Sequence, residues 1–132
     1  MRLTVQSGGI ILGYANHWIK TNTTGNRGKI TSGLDSGELF IHAYDGAQDA
    51  WPVPNGAAGL AGRDWQLNGI VIEDRDANTP LKLVKSGPSA VGISGNNTYT
   101  GMTYVNAGVL RVRGGSSPLG AGGSEANGTV VL

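Results

Sequence analysis

Leu83-Val84-Lys85-Ser86-Gly87-Pro88-Ser89-Ala90-Val91-Gly92-Ile93-Ser94-Gly95-Asn96-Asn97-Thr98-Tyr99-Thr100-Gly101-Met102-Thr103-Tyr104-Val105-Asn106-Ala107-Gly108-Val109-Leu110-Arg111-Val112 is the stretch on which the fold turns. Short apolar or Thr-bearing segments alternate in it with Gly, Asn, Ser and Pro, the punctuation of strands joined by tight turns. The expected strands are Leu81–Lys85, Ala90–Ile93, Thr103–Asn106 and Val109–Arg113. Side chains alternate across a strand. Leu81 and Leu83 are therefore set inward against Lys82, and Leu110 and Val112 inward against Arg111 and Arg113. Glycine at the corners permits positive φ, and asparagine tolerates the same region.

Upstream, further segments of this kind are Leu3–Val5, Ile10–Leu12, Lys29–Thr31, Glu38–Ala43 and Gly69–Glu73, and Thr129–Leu132 lies downstream. In Glu38–Ala43 the inward pair is Leu39 and Ile41. No apolar spacing of helical period is sustained over 11 residues, a window long enough for a helix to show itself. From Leu81 onward strands recur about every ten residues, which fits an all-β sandwich, barrel or solenoid. Residues 45–66 break the rhythm with Trp51, Trp65, Pro52 and Pro54 and no alternation, and read as one long loop insertion.

Composition agrees. The chain of 132 residues has 23 Gly, 5 Pro and no Cys, 14% charged residues and a net charge of +1. Such a balance gives no electrostatic footprint for nucleic acid and none of the charge that drives disorder. Without cysteine there is no disulfide framework, thiolate metal site or thiol nucleophile. The N-terminus, Met1-Arg2-Leu3-Thr4-Val5, lacks the apolar run of a signal peptide. Both ends read as lying inside strands, as in a piece of a longer protein.

The quoted stretch closely resembles the autotransporter-associated β-strand repeat, also called the passenger-associated transport repeat. The family pattern is a Lys-Ser-Gly-Pro turn, an apolar strand, Ser-Gly-x-Asn-Thr-Tyr-x-Gly, a Thr-rich strand and Asn-Ala-Gly-x-Leu. Lys85, Ser86, Gly87, Pro88, Ser94, Gly95, Asn97, Thr98, Tyr99, Gly101, Thr103, Asn106, Gly108 and Leu110 match it in order, and Pro118-Leu119-Gly120 matches the Leu-Gly turn that follows. Ser89, Met102 and Tyr104 depart from it at two turns. The resemblance implies a right-handed parallel β-helix, a solenoid, here a single segment over 1–132 with the insertion at 45–66 and the best-matching repeat at 83–112. It implies a structural, non-enzymatic role without cofactor or metal, in a passenger secreted or displayed at the outer membrane of a Gram-negative-type bacterium. The signal peptide and translocator would lie outside this chain. In such a solenoid each rung buries its inward residues against its neighbours. Asn96, Asn97 and Asn106 would stack as ladders at a corner, and Tyr99 would pack over a corner with its hydroxyl toward solvent or a carbonyl.

Asp35-Ser36-Gly37 is part of a serine-protease nucleophile motif, with His17 and His42 elsewhere, but Leu34 precedes it where that motif has Gly; a Ser-Gly turn is the simpler reading. Glu73-Asp74-Arg75-Asp76-Ala77-Asn78 begins like a calcium loop, yet Thr79 and Lys85 fall where that loop needs Gly and Glu, so a charged turn is favoured. Lys82/Lys85 and Arg111/Arg113 can form a basic stripe or, more simply, a solvated face. The function expected is support of outward translocation and display of adhesive loops. Its partners would be neighbouring rungs and a surface glycan or host ligand, and the open ends would invite self-association. The alternative is a carbohydrate-binding or carbohydrate-active module with Trp51 and Trp65 as glycan contacts.

Overall fold

A computed structural model describes residues 1–13, 18–20, 28–44, 65–122, 124–126 and 129–131. Among them there is no helix, and hence none long and apolar enough to cross a membrane. The described residues form thirteen strands: β1 (Arg2–Val5), β2 (Gly9–Gly13), β3 (Trp18–Lys20), β4 (Lys29–Ser32), β5 (Glu38–Tyr44), β6 (Trp65–Asn68), β7 (Val71–Ile72), β8 (Lys82–Ser86), β9 (Ala90–Ile93), β10 (Thr103–Val105), β11 (Val109–Val112), β12 (Ser124–Ala126) and β13 (Thr129–Val131).

They form three sheets in which every strand pair is parallel. The first has the order β1-β4-β7, the second β12-β10-β8-β5-β2 and the third β13-β11-β9-β6-β3. The chain therefore visits the first, second and third sheet in turn three times, and then alternates between the second and third. Parallel pairing of this kind needs a crossover between partners, and here strands of the other sheets supply it.

Alternation decides which residues fill the interior. In the second sheet Leu39 pairs with Leu83, and Leu83 with Thr103; Ile41 pairs with Lys85, and Lys85 with Val105. In the third sheet Leu67 pairs with Ile93, and Ile93 with Val112. In the first, Ile30 pairs with Ile72. Leu39, Ile41, Leu83, Ile93, Ile72, Val91 and Leu110 are all buried in one cluster. Each such side chain contributes about 1.5–3 kcal/mol on leaving water. At the first strand the row is open to solvent, with Leu3 53% exposed.

The first sheet stops after β7, and the Asn97 side chain takes the place of a further strand. Its Oδ1 accepts the Ile72 N–H at 2.9 Å, and the neighbouring Thr98 N–H donates to the Ile72 carbonyl at 2.9 Å. The Asn97 Nδ2 donates to the Pro118 carbonyl at 2.6 Å. One carboxamide thus serves the strand before it and the turn after it. The expected asparagine ladder is not what forms: Asn97 bonds backbone groups, Asn96 Oδ1 accepts from Ser116 N and Oγ, and Asn106 is exposed.

Three strands lie where no strand was expected. β3 and β12 are three residues long, and β6 begins at Trp65, inside the stretch read as irregular. Of that insertion, 45–64 lies outside the described residues.

Candidate functional site

The segment 83–112 spans β8 to β11, and its polar residues are drawn inside. Lys85 occupies a core-facing position of β8 between Ile41 and Val105, and is 1% exposed. Its Nζ donates to the carbonyl oxygens of Ser86 at 2.9 Å, Gly87 at 2.8 Å and Ala107 at 2.9 Å. Burial pushes the ammonium down to about 8. Arg111, expected on the outer face, is also buried. It pairs with Gly92, whose missing side chain leaves room beside it. Lys85 and Arg111 therefore do not form an exposed basic stripe with Lys82 and Arg113.

Tyr99 is fully buried, and its Oη meets Thr103 Oγ1 at 2.6 Å. Contrary to the expectation from the sequence, the hydroxyl points neither to solvent nor to a carbonyl. Burial pushes this phenol up to about 12, against the opposing effect of the Thr103 hydrogen bond. A phenol and a threonine hydroxyl answer each other inside the turn, so neither is left unpaired.

The acidic stretch 73–78 is a set of backbone fasteners. Asp74 Oδ1 accepts the N–H groups of Leu81 at 2.7 Å and Thr100 at 3.0 Å, and its Oδ2 accepts the Thr100 hydroxyl at 2.8 Å. Glu73 meets Arg2 at 3.2 Å and Lys29 at 2.6 Å. Arg75 donates to the Gly33 carbonyl, to Asp35 and to Thr79. The Asn78 amide, with Thr79 and Arg75, holds Asp76 below the usual carboxylate range. Among the described residues no group of His, Cys, Asp and Glu is arranged for a metal ion.

Ser36 donates to Glu38 at 2.9 Å and lies in the turn that the Gly37 N–H closes onto the Leu34 carbonyl. The His42 ring is elsewhere, with Nδ1 3.1 Å from Ser86 Oγ. Its register neighbours are Ile11 and Ser86, neither an acid that would orient an imidazole for catalysis. His17 and Trp51 lie outside the described residues. Trp65 is the register partner of Val91 in β6.

The remaining motif residues shape turns. Gly87, Gly95 and Gly108 all have positive φ. Thr98 and Gly101 stand beside Tyr99, and Leu110 is buried against Val91. Composition and spacing alone did not show that the lysine, tyrosine and asparagine of the motif are interior groups. For Lys85 the signal was its phase, two residues after Leu83 on the same side of the strand; Asn97 and Tyr99 lie between β9 and β10, where no such period applies.

These features define a class first, an all-β segment of parallel strands fastened at its turns by buried polar side chains. Within it, residues 83–112 match the family model of the passenger-associated-transport-repeat. No curated protein and no solved structure matches the chain.

Proposed function

We propose that this chain is a structural section of a passenger of the autotransporter type, secreted or held at the cell surface, and that its circuits of strands are rungs of a right-handed parallel β-helix. The match of residues 83–112 to the passenger-associated-transport-repeat carries the reading. The fixed order of visits to three parallel sheets supports it. In this role the section performs no turnover. Each rung offers the next a ready edge, so the stack can grow from one end, and growth outside a membrane would favour outward passage. The 45–64 segment, joined at both sides to strands of the stack, is the natural place for an adhesive loop. A rung edge without a neighbour would pair with another chain.

Cell fractionation and intact mass of the native product, followed with an antibody against residues 83–112, test this. A large species at the surface or in the medium is the expected result. A 13.6 kDa cytoplasmic species would overturn it. Glycan retention lost on Trp51→Ala and Trp65→Ala would instead favour the carbohydrate module.

A further inference from the structure

An apolar ladder alone leaves the register of β10 and β11 under-determined. Because side chains alternate, a slip of two residues keeps the same face inward. Such a slip would still set Val105 against an apolar neighbour, Leu83, in place of Lys85. What it would destroy is the environment of the Lys85 ammonium.

That ammonium has three donors, and all three are used. Two acceptors, the carbonyls of Ser86 and Gly87, come from its own turn. The third, the Ala107 carbonyl, comes from 22 residues further on. The two corners touch: a Cβ on Gly108, which has φ +70°, would run into the carbonyl oxygens of Gly87, Pro88 and Ser89. The Asn106 N–H donates to the Lys85 carbonyl at 2.9 Å, so backbone and side chain of the lysine both bond the incoming corner. A two-residue slip would carry the Ala107 oxygen roughly 7 Å along the strand, and a buried charge short of a partner is costly.

We propose that the Lys-Ser-Gly-Pro turn (85–88) and the Asn-Ala-Gly corner (106–108) are two halves of one primary-ammonium site, which Lys85 fills from within. Occupation of that site fixes the register in which β10 and β11 dock on β8 and β9. Its two halves sit near opposite ends of the matched segment 83–112, so the spacing between them is the length of one docking step. In a longer stack each such turn would select its own corner, an extension that rests on the proposed rung architecture.

The test uses the full 132-residue chain with Lys85→Ala, which empties the site down to the β-carbon. n-Propylammonium chloride supplies the missing stem and amine, and tetramethylammonium chloride supplies the same charge without an N–H. Hydrogen exchange is read at residues 103–112, with β2 and β5 as the internal reference. The expected result is a loss of at least about tenfold in protection at 103–112, regained with propylammonium and not with tetramethylammonium. Unchanged protection, or a loss that both ions restore equally or neither restores, would overturn the proposal. If Lys85→Ala does not fold, the same two ions are titrated against far-ultraviolet circular dichroism: refolding with propylammonium alone supports the site, and no such difference overturns it. A wild-type chain unprotected throughout β8–β11 would strike at the stacked architecture itself, whereas failure confined to the variant strikes only at the ammonium site.

Discussion

The seam between β8 and β10 and the seam between β2 and β5 are built from the same parallel pairing, yet they are fastened differently. At the first, Lys85, Tyr99 and Thr103 are polar groups sealed inside, each with a partner. At the second, Ile10 pairs with Ile41 and Leu12 with Ala43, apolar rows without an internal polar contact among the described groups, while Ile11 stands 80% exposed beside His42 on the outside. Apolar rows supply free energy without selecting a register, because one aliphatic chain substitutes for another. Buried polar contacts add little net energy but are satisfied in one alignment. The repeat segment is therefore the better specified of the two, and the interior of the β2–β5 seam relies on apolar burial.

The comparison can be broken at several points. Leu83→Ala removes a side chain that is 1% exposed at the centre of the second sheet, and a loss of about 3–4 kcal/mol in a denaturant titration is expected. Ile10→Ala, on the half-buried first edge, should cost about 1 kcal/mol by the same measurement. Equal losses would mean that the two seams do not differ in packing.

An effect smaller than that of Leu83→Ala is expected at Asn97. Its replacement by Ala leaves the Ile72 N–H and the Pro118 carbonyl without their partner, at a cost of about 1–3 kcal/mol. Asn97→Asp keeps the acceptor for Ile72 but sets a buried carboxylate against the Pro118 carbonyl, so at neutral pH it should cost at least as much as Ala. Tyr99→Phe deletes one hydroxyl and strands that of Thr103, for about 1–2 kcal/mol. The double change with Thr103→Val should recover part of that loss, which a double-mutant cycle would read.

The pH dependence separates the seams without any cavity. Lys85 titrates at about 8 when folded against 10.5 ordinarily. Between those values the unfolded chain binds the extra proton, so stability rises with pH across that window and the penalty is fully present below about 8. Tyr99 acts in the opposite sense. With its phenol held up to about 12 against 10.0, the unfolded chain is the first to lose that proton, and stability falls between about 10 and 12. Thermal melts should therefore peak near pH 10, with the rising limb absent in Lys85→Met and the falling limb absent in Tyr99→Phe. The least effect on stability is expected for Ile11→Lys, within about 0.5 kcal/mol. A charge on this edge should nevertheless reduce self-association, as sedimentation velocity would show.

Much of this architecture was legible because segments such as Leu81–Lys85 and Val109–Arg113 carry their own alternation and are bounded by Gly or Pro. β3, β6 and β12 were not. Trp18-Ile19-Lys20 is too short for a period to emerge, Trp65 follows a Pro- and Gly-rich stretch, and Ser124-Glu125-Ala126 has no intrinsic strand pattern. It pairs because β10 offers Thr103, Tyr104 and Val105 as a template. The interior polar groups were hidden for a different reason. Charge suggests solvent at Lys85 and Arg111, although the phase of β8 places Lys85 with Leu83. Where the Lys85 ammonium finds its third acceptor depends on Ala107, a backbone oxygen that no side-chain pattern announces.

The Asn97 carboxamide has a mechanical consequence. By standing where a further strand of the first sheet would lie, it keeps the later circuits short: Tyr104 follows Val84 by 20 residues and Glu125 follows Tyr104 by 21, whereas Val84 follows its partner Phe40 by 44, a span that carries residues 45–64 as well as β7. A chain drawn out under tension would release about 150 Å in the step between β5 and β8, and about 70 Å in each step after it. Under a steady pull the C-terminal portion would yield in strokes of nearly constant length, a graduated tape behind one long leader.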